Sequence, residues 1–62
     1  MDKSEVIYQQ RVLKITKYVT KRGNKYKIEV ADGRLCRFWE DYFDNDEKAI
    51  ESAKRELRSL YL

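Results

Sequence analysis

The hydrophobic pattern of this 62-residue chain changes period once, between Tyr42 and Glu47, and that change limits the folds open to it. Lys25-Tyr26-Lys27-Ile28-Glu29-Val30 alternates without a fault. Tyr26, Ile28 and Val30 fall on one side and the three charged residues on the other, the pattern of a half-buried strand. From Glu47 onward, Ala49, Ile50, Ala53, Leu57, Leu60 and Tyr61 recur at three- and four-residue steps. That spacing is one face of an amphipathic helix of about four turns, predicted over residues 46–61.

Two glycine turns divide the part before the helix. Thr20-Lys21-Arg22-Gly23-Asn24-Lys25 precedes the alternating strand, and Gly23 supplies the positive φ of a tight hairpin. Ala31-Asp32-Gly33 follows it. Strands are therefore predicted at residues 12–20, 25–31 and 34–42, antiparallel and in sequence. In the first, Leu13, Ile15 and Val19 share a face, and Lys17 intrudes on it with its stem along the core and its head in water. Residues 1–11 have two readings: Val6, Ile7 and Tyr8 lengthen the first strand, or the segment stays loose. At the helix start, Asp44 with Glu47 is compatible with a capping box, and Asp46 competes as the cap. The expectation is one small α+β domain, β-β-β-α over residues 1–62, with the helix on one face of a three-stranded sheet and the other face wet.

So short a chain buries only about 60% of its unfolded surface and encloses no deep cleft. Cys36 has no partner for an internal disulfide, which suits a cytoplasmic protein. No apolar run approaches the roughly 20 residues of a membrane span, and the charged N-terminus has no signal-like apolar stretch. With no histidine and no nucleophile beside a base, catalysis is not expected. Neither is a cofactor or a metal: Glu40, Asp41, Asp44 and Asp46 lack the glycine and ligand spacing of a calcium loop.

Charge is unevenly spread. Between Arg11 and Trp39, nine basic residues face only Glu29 and Asp32, whereas from Glu40 onward acids outnumber bases. Alternation sends Lys14, Thr16, Tyr18, Thr20, Lys25, Lys27 and Glu29 to the wet face. The third strand depends on its turn. A three-residue Ala31-Asp32-Gly33 loop adds Leu35, Arg37 and Trp39 to the wet face and turns Cys36 and Phe38 to the helix. A two-residue Asp32-Gly33 loop swaps the faces and forces Arg37 under the helix, which an unpaired guanidinium resists. The three-residue loop is therefore preferred. Cys36 then reads as a small core residue, and Trp39 as either a stacking surface or a half-buried core residue.

The stretch Lys17-Tyr18-Val19-Thr20-Lys21-Arg22-Gly23-Asn24-Lys25-Tyr26-Lys27-Ile28-Glu29-Val30, then Asp32-Gly33-Arg34, then Phe43 and a helix bearing Ala49, Ala53 and Leu57, resembles the arm-type DNA-binding domain of lambda-type tyrosine recombinases. The resemblance implies a three-stranded sheet on a C-terminal helix, with the sheet inserted in the major groove, and a setting in a phage or mobile element. It carries over no strand-exchange activity, since no catalytic domain is present. Charge and resemblance together point to non-enzymatic nucleic-acid binding, foremost to duplex DNA. The expected contacts are Lys14, Thr16, Tyr18, Arg22, Lys25, Lys27, Arg37 and Trp39. The rival classes are RNA binding and a small phage- or plasmid-type regulator that inhibits a host protein through Tyr18, Trp39 and Tyr61.

Overall fold

Alternation in the chain's middle third builds the centre of a sheet. A computed structural model describes residues 3–61. Four strands, β1 (Lys3–Gln10), β2 (Leu13–Thr20), β3 (Gly23–Asp32) and β4 (Leu35–Tyr42), precede one helix, α1 (Asp46–Leu60). The sheet is antiparallel and its spatial order is the chain order. The α+β class and the single C-terminal helix are as expected, but the sheet has four strands, one more than expected.

The additional strand is the segment read as loose or as an extension of the first strand. It folds back on β2 through Arg11 and Val12, so that Gln10 faces Leu13. Arg11 carries the reversal at φ 49°, a left-handed conformation that a side chain disfavours by about 1–2 kcal/mol. Between Val6 and Tyr8 the register slips by one residue, a bulge at Ile7. Ile7 and Tyr8, neighbours in sequence, both pack against the core, and strict alternation is lost there.

The core lies between the middle strands and the helix. Leu13 and Ile15 of β2 meet Val30 and Ile28 of β3 in register, and Tyr26 is fully enclosed beside them. Ala49 and Ala53, one helical turn apart, are also fully buried, so the helix backbone comes close to the sheet. Trp39, Phe43, Ile50, Leu57 and Leu60 close the margins. Asn45 caps the helix, its side chain accepting from the Lys48 N–H at 2.9 Å. This replaces the Asp44–Glu47 box and the Asp46 cap. Asp44 pairs with Lys48 at 3.2 Å, and Asp46 reaches into the sheet instead. At the far end the Tyr61 hydroxyl donates to the Asp32 carboxylate, tying the helix terminus to β3.

The β3–β4 turn departs from both loops considered. Asp32 faces Leu35, and the two loop residues are Gly33 and Arg34, with Gly33 at φ 60°. Val30 therefore meets Arg37 and Ile28 meets Trp39, which puts Leu35, Arg37 and Trp39 on the helix side. Cys36, Phe38, Glu40 and Tyr42 take the open side. Both third-strand assignments from the preferred loop are thus reversed. Burial of Arg37 was the objection to this arrangement, yet Arg37 is exposed, because β4 is an edge strand and the helix lies over the strands inside it. No helix among the described residues is long and apolar enough to cross a membrane.

Candidate nucleic-acid interface

The sheet face opposite α1 is covered by no other described element, and its registers arrange the side chains in three rows. Ser4, Tyr18, Lys25 and Tyr42 form the first, Val6, Thr16, Lys27 and Glu40 the second, and Gln9, Lys14, Glu29 and Phe38 the third. Adjacent rows lie about 7 Å apart along the strands and adjacent columns about 4.8 Å apart. Cys36, opposite Ala31, continues the face beyond the third row and is exposed. It is not the core residue expected.

Of the eight residues singled out from the sequence, Lys14, Thr16, Tyr18, Lys25 and Lys27 share this face. Arg22 sits in the exposed β2–β3 turn at its end, beside Lys21. There the Thr20 hydroxyl accepts from the Arg22 N–H and donates to the Gly23 carbonyl at 2.8 Å, giving Thr20 a role in the turn. Arg37 and Trp39 stand on the other side of the sheet, Trp39 half-buried against the core. Thr16 is only 9% exposed between Val6 and Lys27 and offers little surface. Phe38, 69% exposed, and Tyr42, 47% exposed, are the aromatic groups that sequence reasoning missed. The mixed composition of β4 holds no signal that separates its faces, since aromatic and charged residues occupy both.

Electrostatically the face is modest. Three lysines stand against Glu29 and Glu40, and two of the three have partners. Lys25 lies 3.6 Å from Glu40, and the Lys27 ammonium sits 5.6 Å from the centre of the Phe38 ring. The second contact is a cation–π pair that holds the ring beside the charge. Lys14 is opposite Glu29. These pairs are solvent-exposed and weak, so an incoming phosphate can displace them.

The other side carries a firmer polar group. The Tyr26 hydroxyl donates to Asp46 Oδ1 at 2.6 Å, and Lys17 Nζ lies 3.2 Å from the same oxygen. Burial first, then the carboxylate beside it, pushes Tyr26 up to about 12. The Tyr26 hydrogen bond, aided by Lys17, holds Asp46 below the ordinary aspartate range. This triad pins the helix start to β2 and β3. Among the described residues, no cluster of three or more Cys, Asp or Glu side chains is arranged to hold a metal ion. Comparison with protein-family models, with curated proteins and with solved structures finds no match to this chain.

Proposed function

We propose that the domain binds single-stranded nucleic acid along the open face of its sheet. The observation that carries this reading is the joint presentation of Tyr18, Phe38 and Tyr42 with Lys14, Lys25 and Lys27 on a face left uncovered by the helix. An exposed aromatic ring accepts an unpaired base by stacking, worth about 1–3 kcal/mol per base and nearly indifferent to its identity. Lysines in the adjoining columns reach the intervening phosphates. Phe38 and Tyr42 are four residues apart on one strand, about 13 Å, so an extended strand lying along β4 would set the first and third bases of a trinucleotide on the two rings.

Sheet width favours an unpaired strand over the duplex that composition and resemblance suggest. The outer strands of a four-stranded sheet are about 14 Å apart, whereas the major groove is about 12 Å wide. A three-stranded sheet fits that groove more readily, and β1 adds the strand that makes this one too broad.

Fluorescence anisotropy with labelled single strands of DNA and RNA, and with a duplex of equal length, tests the reading. Single strands are expected to bind more tightly, with a log–log salt slope of about −2 for three phosphate contacts. Lys25→Glu with Lys27→Glu should remove two of those contacts and cut the slope to about −0.7. Phe38→Ala should weaken binding about tenfold, one stacked base. Absence of salt-dependent binding to any strand refutes nucleic-acid binding. Tighter duplex binding refutes the single-strand form and moves the contact to Lys21 and Arg22 in the hairpin turn.

A further inference from the structure

We propose that β4 is a self-association edge, through which two copies of the chain join antiparallel about a two-fold axis at Trp39 into one eight-stranded sheet. The two edges of the sheet differ in kind. β1 has a bulge at Ile7 and presents Lys3, Glu5, Gln9 and Gln10, features that discourage further pairing. β4 is paired with β3 without a break from Tyr42 to Leu35 and bears the two open-face residues Phe38 and Tyr42, both largely exposed. A long, regular edge of this sort is a template for another strand, and its charges Arg37 and Asp41 are of opposite sign.

The backbone phase of that edge follows from its partner. Asp32 and Leu35 close the two-residue hairpin, and the Phe43 N–H donates to the Asn24 carbonyl at 3.3 Å. Odd-numbered residues of β4 therefore turn their backbone groups to β3, and Cys36, Phe38, Glu40 and Tyr42 turn theirs outward. The Tyr42 N–H is bonded only to the neighbouring Asp41 side chain, at 2.8 Å, consistent with that phase.

A two-fold axis perpendicular to the sheet keeps both helices on one side and pairs residues only with others of the same face. Three central registers satisfy it. An axis at Glu40 sets Glu40 against its own copy, and like charges directly opposite repel. An axis at Phe38 sets Asp41 against Leu35 and leaves Arg37 facing Trp39. An axis at Trp39 sets Arg37 against Asp41 of the second copy, twice by symmetry, with the two Trp39 rings adjacent between them. These pairs fall at non-hydrogen-bonded positions, where opposing side chains are closest. Arg37 makes no ion pair among the described residues, and its opposite charge is available in the second copy. The two β3 strands then lie about 14 Å apart, wider than the 8–10 Å of packed helices, so the helices do not collide.

Sedimentation equilibrium of the free protein, without nucleic acid, from about 10 μM to about 1 mM spans the affinity expected of so small an interface. The mass should rise from 7.6 kDa toward twice that value. A monomer throughout overturns the proposal. Asp41→Arg alone and Arg37→Asp alone should each weaken association about tenfold or more, and the two together in one chain should restore it. Both residues are exposed, so circular dichroism is expected to match the parent. Association unchanged by the single reversals, or not restored by the pair, overturns the Trp39 register. As an independent check, Arg37→Cys and Asp41→Cys chains, each with Cys36→Ser, are mixed and oxidised. A disulfide between unlike chains supports the register, and its absence rejects it.

Discussion

Removing one oxygen from the core tests the account of what fixes the helix to the sheet. Tyr26→Phe keeps the fully buried ring and its edge-on contact with Phe43, centroids 5.8 Å apart, and deletes the hydroxyl that donates to Asp46. A hydrogen bond to a charged group contributes about 1.5–3 kcal/mol. Asp46 retains Lys17 at 3.2 Å and partial access to water, which places the loss near the lower end, about 1.5 kcal/mol. In a domain this small that is a fall in Tm of about 6–12 °C. Urea unfolding followed by Trp39 fluorescence reads the loss directly. The alkaline limb gives a second signature. Tyr26 loses its proton near 10.0 when unfolded and near 12 when folded, so the folded state holds a proton that the unfolded state has released. Its contribution is complete below pH 10 and declines by on the order of 2 kcal/mol as pH rises to 12. The variant should lack that decline. A loss below about 0.5 kcal/mol at pH 7, or an alkaline limb identical to the parent's, would refute the reasoning.

Two further substitutions probe the elements around that anchor. Arg11→Gly relieves the left-handed backbone of the β1–β2 turn and, after the added flexibility of the unfolded chain, should stabilise by about 0.5 kcal/mol; destabilisation in urea would contradict the assigned conformation. Ala53→Leu forces a large side chain where the helix meets the sheet and should cost about 1–3 kcal/mol, whereas a neutral result would mean the helix stands further off.

The parts of the fold legible in the sequence are those where one physical signal acts alone. β3 is amphipathic at period two, with its apolar side buried and its charged side open, so its pattern is faithful to its place. The helix is equally plain, because Ala49, Ala53 and Leu57 leave no other face to bury. β1 was hidden by two local effects. A bulge turns Ile7 and Tyr8 to the same side, and the turn before β2 uses Arg11, not glycine or asparagine, at a positive φ. The site was half legible for a related reason. Lys14, Tyr18, Lys25 and Lys27 follow from alternation, but the face of β4 depends on whether Asp32 belongs to the loop or the strand. A side chain on the helix side of β4 would be buried only beneath a helix wide enough to cover every strand. One helix covers about 10 Å, less than the sheet, and an edge position tolerates a charge on either side.

Because the order of strands in space repeats their order in the chain, every sheet contact joins consecutive segments, and each hairpin can close as soon as its two arms exist. The return of the helix, brought back to Tyr26 and Asp32, adds links between residues further apart in the chain. Pairing between neighbouring segments keeps the sheet contacts more local than in a β-sandwich, which places folding between helical bundles and sandwiches and shortens the time for which β4 can meet a wrong partner before its own sheet is complete.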